Sequence, residues 1–311
     1  MKTIYFILIS ITVVLCGLTA CTDSNDTWTV ASSSPRFVLG TMQSRVTYPK
    51  DDYTHSVFEE GDVLGAFAID ENNNVVGTSN ARYRVVGKEG SQTLEPELTQ
   101  DAFPANVSYT YIFYYPFKEG TAYNSVTHMV EADQRTVALY ERSDLLWDNA
   151  GNNSETPESL IVTVEMNHAM SNIILEISKD LIAQSENGDV TGSVIMHNIN
   201  RAISGINLST DFPTYGQRTI SSSITMQHYG HREKDGMEIY RAVIPPQSFA
   251  NNQNLFTIEM AQGSKTYRSE IAGSLNFEPK KYYLFTVTQS GLRFRGLIED
   301  LNDEGDYYYE Y

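Results

Sequence analysis

From Arg36 onward the apolar residues come in short runs that alternate with polar ones and stop at turn residues, with no long stretch repeating every three to four positions. A period of two places side chains on the two faces of an extended strand, so the chain reads as all-β. The strongest run is Val107 to Tyr115 (VSYTYIFYY), with Tyr109, Tyr111, Phe113 and Tyr115 on one face and Pro116 closing it. Val63 to Ile69 is a second strand, closed by the turn Asp70-Glu71-Asn72-Asn73-Asn74, and Phe37-Val38-Leu39 is an earlier one. The 20 Tyr and 13 Phe suit this class, since aromatic residues favour strands and a tyrosine can lie half buried with its hydroxyl wet.

The second half has the same style. Leu160 to Met166 and Met170 to Ile177 are expected to pair as a hairpin reversing near Asn167-His168. Ser193 to Ile199, Thr219 to Gln227, Glu238 to Ile244, Leu255 to Met260, Thr266 to Ile271 and Tyr282 to Thr288 follow at the spacing of a β-sandwich meander. Ser143 to Pro157 has loop composition and is the expected junction, which gives sandwich domains at residues 36–156 and 157–290. Residues 291–311 form a terminal strand and tail. Leu292, Phe294, Gly296 and Ile298 fall on one face and Arg293, Arg295, Leu297 and Glu299 on the other, a strand fit to close its own sheet or to be lent to a neighbour.

The N-terminus decides where the chain lives. Lys2 precedes an apolar run from Ile4 to Leu15, and Leu18-Thr19-Ala20-Cys21 closes it in the pattern of a bacterial lipoprotein signal, residues 1–20, cleaved before Cys21. The run is about a dozen residues, short of the ~20 that a bilayer core demands. Cys21 is then the acylated first residue, and 21–35 read as a flexible tether in which Asp23 and Asp26 resemble surface-sorting acids. Cys16 and Cys21 are the only cysteines, so the body has no disulfide and no thiolate metal site. Without its leader the chain carries 21 basic against 39 acidic residues, a formal net charge of −18. That balance argues against nucleic acid and against an anionic lipid surface, and leaves the membrane link to the acyl chains.

Other constellations point to little chemistry. His228 and His231 stand close enough to chelate, but no third ligand completes a site, and Gln227 to Arg232 reads as a hairpin tip. His168 reads as a turn histidine bonded to backbone. Asp300, Asn302, Glu304 and Gly305 imitate a calcium loop whose twelfth position is Tyr311 instead of Glu. There is no Gly-x-Ser-x-Gly and no phosphate-cradling glycine loop, so no enzyme, cofactor or metal is expected. Exposed aromatics on a sandwich can stack on sugar rings, which makes Trp28, Tyr109, Tyr111, Trp147 and Tyr307 to Tyr309 the candidates for a glycan-binding alternative.

In order and spacing, several pieces together resemble the fimbrillin-like lipoproteins of Bacteroidia. They are Ser44-Arg45, Phe58-Glu59-Glu60-Gly61-Asp62 leading into Val63-Leu64-Gly65-Ala66-Phe67, Phe113-Tyr114-Tyr115-Pro116, Ser143-Asp144-Leu145-Leu146 and Val164 to Met170. Ile203-Ser204-Gly205, Ile244-Pro245-Pro246-Gln247 and Phe277-Glu278-Pro279-Lys280-Lys281-Tyr282 complete the set, with Lys280 where a Gly is expected and Leu301 where members often carry Trp. The resemblance implies two transthyretin-like β-sandwich domains and a structural or adhesive role in a cell-surface pilus, lipid-anchored in the outer membrane. Its implied partners are other pilus subunits joined by β-strand addition, and ligands on host or bacterial surfaces. It further implies cleavage by an arginine-specific protease after Arg45, with Arg36 the second choice, releasing the Phe37-Val38-Leu39 strand. Leu292, Phe294 and Ile298 would then fill a neighbour's groove.

Overall fold

The alternating pattern predicts strands almost throughout, and the computed structural model is built from them; it describes residues 34–40, 58–88, 90–150, 160–210, 213–233, 235–268 and 274–298. In chain order the elements are β1 (Arg36–Leu39), β2 (Val63–Ile69), β3 (Val75–Val86), β4 (Thr93–Pro96), β5 (Thr110–Tyr115), β6 (Val126–Met129), α1 (Val137–Ser143), β7 (Leu146–Ala150), β8 (Ile161–Val164) and β9 (Asn167–His168). There follow β10 (Ser171–Ser178), β11 (Val194–Ile206), β12 (Arg218–Thr225), β13 (Gln227–Arg232), β14 (Met237–Ile244), β15 (Gln247–Ala250), β16 (Asn254–Met260), β17 (Gly263–Arg268), β18 (Ser274–Phe277), β19 (Tyr282–Thr288) and β20 (Gly291–Ile298).

The first sheet has eight strands in the order β8-β1-β4-β3-β2-β5-β7-β9. Its two end strands, β8 and β9, are separated in the chain by only Glu165 and Met166, so the sheet has to roll until its edges approach. Phe37, Leu64, Ala66, Tyr83, Val85, Leu94, Phe103, Tyr111, Phe113, Val162 and Val164 fill the roll. The other face of β2, β5 and β7 is buried as well, because Phe67, Ile69, Ile112, Tyr114 and Trp147 belong to a second core. This explains a run such as VSYTYIFYY, which shows water no polar face over Tyr111 to Tyr114.

That second core lies between two five-stranded sheets, β13-β14-β10-β19-β20 and β12-β11-β16-β17 with β6 paired to β11. β10 runs antiparallel to β14 and parallel to β19 and is buried over Ser171 to Ile177, the expected state of a central strand covered on both faces. The stretch after β6 is tied to this half by Gln134, which is fully buried. Its Nε2 donates to Val243 O at 2.8 Å and its Oε1 accepts the Val243 N–H at 2.9 Å, as a strand's peptide group would.

Several expectations are corrected. Leu160 to Met166 and Met170 to Ile177 do not form a hairpin: β8 lies against β1, β9 against β7, and β10 in the next sheet. β8 alternates, with only Val162 and Val164 fully inward, whereas β10 is buried on both faces, so one ladder does not suit both. Ser143 to Ala150 is not loop. It ends α1 and forms β7, with Leu145, Leu146 and Trp147 buried; residues 151–157 lie outside the described ones. Gln227 to Arg232 is the strand β13 and no hairpin tip. Lys280, standing where a glycine was expected, takes that glycine's backbone with φ of 61°.

Candidate functional site

β1 is the element on which a strand-exchange reading depends, and it is not an edge strand. It runs antiparallel to β4, with Phe37 opposite Leu94, and parallel to β8, with Phe37 opposite Val162. Arg36 N–H donates to Leu160 O at 2.9 Å, Leu39 N–H to Gln92 O at 3.0 Å, and Gly40 N–H to Val164 O at 2.9 Å. Pro35, Phe37 and Leu39 point inward and Arg36 outward, the alternation that a single rolled core imposes.

Phe37 sits in an aromatic box. Its ring meets Phe113 at 4.9 Å, Tyr111 at 5.1 Å and Tyr83 at 5.4 Å between centroids, each edge to face, with Phe103 at 6.5 Å. The box is otherwise satisfied within itself: Phe103 N–H donates to Tyr83 Oη at 3.2 Å, and Tyr111 Oη donates to Pro104 O at 3.1 Å. Burial pushes both phenols above their ordinary range, so they stay neutral donors and acceptors. Gln92 ties the two ends of the segment that follows β1, since its carbonyl holds Leu39 and its Nε2 donates to Phe58 O at 2.6 Å.

The sequence candidates fall as follows. Cys21 and Arg45 lie outside the described residues, as do Trp28, Leu301 and Tyr307 to Tyr309. Arg36 is the first residue of β1 itself, so a cut there would fall inside the ladder and not beyond it. Leu292 and Phe294 lie on β20, which pairs with β19, and both pack on the chain's own second core; Phe294 meets Phe285 at 5.0 Å. Ile298 lies opposite Tyr282 in the same ladder, and its side chain is outside the described residues.

Two aromatic candidates for sugar stacking are removed by burial: Tyr111 is 0% exposed and Trp147 is 1% exposed. Tyr109 is half-buried on the roll's core. His228 and His231 bond to a single buried carboxylate, Glu238, at 2.9 and 2.8 Å through its two oxygens. His168 is no backbone-bonded turn residue; its Nδ1 lies 2.5 Å from Asp144 Oδ2, with both side chains buried. Sequence reasoning missed Gln92, Tyr83 and Phe103 as parts of the β1 site. Only topology brings these three to Phe37.

Rolled and stacked sheets in this order define a β-sandwich protein held by strand pairing and aromatic packing. Residues 44–300 match the model of the Fimbrillin-like family, and the chain belongs to that family. Two solved structures share the fold. One is a proposed cell adhesion protein from Bacteroides ovatus, 16% identical with a TM-score of 0.61, covering 88% of this chain and 99% of that one. The other is a proposed cell adhesion protein from Bacteroides uniformis, 15% identical with a TM-score of 0.56 and the same 88% and 99% coverage. No curated protein sequence matches the chain.

Proposed function

We propose that this chain is a structural or adhesive subunit of a cell-surface fimbrium, with no catalytic role, assembled by protease-triggered strand exchange. Cys21 carries the acyl chains that hold it in the outer membrane, and a cut after Arg45 separates the segment bearing β1 from the body. A neighbouring subunit's C-terminal strand then takes the vacated place, with Leu292, Phe294 and Ile298 as its pocket-filling residues. The body is read as two sandwiches, with the boundary moved from the expected 156/157 to the change of sheet between β9 and β10.

The observation that carries this reading is the seat of β1. A strand set between β4 and β8, with Phe37 in an aromatic box, leaves on removal both unpaired backbone and an apolar slot, the two features that strand addition satisfies. β20 offers the matching alternation over Leu292 to Phe294; beyond Phe294 its ladder shifts register, so that in its own sheet Leu297 pairs with Tyr283 of the second core and Ile298 with Tyr282. In its own subunit Leu292 and Phe294 already serve a core, so lending the strand means giving up its ladder to β19 for the two that the seat between β4 and β8 offers.

The test is non-boiled electrophoresis of the lipid-free mature protein before and after an arginine-specific protease, with Arg45→Ala in parallel and N-terminal sequencing of the product. A ladder that appears only on cleavage, begins at Val46 and is absent from the variant is the expected result. Resistance at Arg45 would overturn the maturation step.

A further inference from the structure

We propose that β1 stays seated after the chain is cut between Gly40 and Phe58, so that cleavage primes the groove and only an incoming strand empties it. This rests on the strand-exchange reading above and adds its regulation: the cut subunit is a plugged intermediate, stable by itself, and not an open one.

Hydrolysis of one backbone amide in that interval consumes one water, breaks one C–N bond and leaves a new carboxylate and a new amine. Among the described residues, it breaks none of the contacts that hold β1. Both ladders of the strand lie before Gly40, as do the bonds from Arg36 to Leu160 and from Leu39 to Gln92; Gly40 itself is still bound to Val164 O. Phe58, on the far side of the cut, remains held by the Gln92 amide.

Spontaneous departure would be costly for a second reason. β8 stands outermost in the sheet order, and among the described residues its ladder partner is β1. Loss of β1 therefore bares one edge of β4, which keeps its ladder to β3, and strands β8 at once, and it opens the box of Tyr83, Phe103, Tyr111 and Phe113 to water. An edge strand could peel away with one ladder, whereas this one must leave two. A replacement strand that takes over each bond as it is lost never passes through the bare groove, so exchange is the route that the geometry favours.

The experiment uses the full mature chain with Cys21→Ser and a site-specific protease sequence placed at residues 44–47, so that it does not depend on native cleavage at Arg45. After complete nicking, gel filtration and native mass spectrometry are expected to show the N-terminal fragment and the body travelling as one species that separates only in denaturant. The same nicked protein carrying Phe37→Ala is expected to lose its fragment roughly a hundred- to a thousandfold faster. Phe37→Leu, which keeps most of the volume, should fall between them and guards against an Ala variant that does not fold. A wild-type fragment that leaves on cleavage alone overturns the proposal, and so does a fragment held equally well with and without Phe37. Failure of native cleavage at Arg45 would instead count against the maturation reading and leave this result standing.

Discussion

Phe37 and Phe113 meet edge to face, with ring centroids 4.9 Å apart and planes at 69°, and this contact joins the first strand to the middle of the rolled sheet. Because Phe37 is 1% exposed and Phe113 0%, truncation leaves a cavity that the surrounding rings cannot close. Phe37→Ala is expected to cost the uncut protein about 3–5 kcal/mol in urea unfolding, and Phe113→Ala a similar amount. The double variant should fall short of the sum by about 0.5–1.5 kcal/mol, the value of the ring contact itself. Strict additivity would show that the two rings do not interact.

Gln134 makes a different kind of contact. Its amide pairs with both the N–H and the carbonyl of Val243, deep in the second core. Gln134→Leu keeps the volume but leaves both backbone groups dry and unpaired, at a cost of about 1–3 kcal/mol for each group abandoned. Hydrogen exchange at the Val243 amide should rise in step with the stability loss. An amide as protected as in the wild type would mean that Val243 finds another partner.

The Asp144 and His168 pair tests whether a buried polar contact stabilises or only specifies. The imidazole Nδ1–H donates to Asp144 Oδ2 at 2.5 Å, Nε2 faces Tyr282 Oη at 3.5 Å, and among the described residues Asp144 Oδ1 has no partner. His168→Ala should destabilise by about 3–5 kcal/mol, because it leaves the carboxylate buried alone. Asp144→Leu with His168→Phe should cost far less, since nothing polar then remains to satisfy. A double variant as unstable as the single one would show that the pair does more than satisfy itself.

Much of the fold is legible because alternation is a local signal. Val63 to Ile69 and Tyr282 to Thr288 form as the sequence predicts, and VSYTYIFYY ends where Pro116 requires. What fails is partnership between distant strands. Nothing in Ile161 to Val164 says that it will lie parallel to β1, more than a hundred residues earlier, instead of folding back on Ser171 to Ser178. Loop-like composition misled at β7, where Asp148 is held in the strand by accepting the Glu165 N–H at 2.7 Å. The same holds for the β1 site. Phe37 is visible as an apolar strand residue, but Gln92 and Gln134 are single polar residues with no spacing to mark them.

Asp148 and His128 should give the stability curve two opposing slopes. Burial raises the Asp148 carboxyl from 3.8 to about 6, with the Glu165 N–H as a partial offset. The folded chain therefore holds that proton more tightly than the unfolded one, so the group's contribution is best below its unfolded value and is lost as pH rises from about 4 to 6. A shift of this size is worth about 3 kcal/mol. Burial instead lowers the His128 imidazole, whose Nε2–H donates to Ser143 O at 2.8 Å. Its contribution is present above the unfolded value of about 6.5 and lost as pH falls below it. Asp148→Asn should remove the first slope and keep the second, making the variant more stable than wild type at pH 7 and the gap smaller at pH 4. His128→Gln should flatten the acid side alone. Urea midpoints at unit steps from pH 4 to 8 separate the two, and an Asp148→Asn variant that tracks the wild type at every pH would show that this carboxyl ionises normally in the fold.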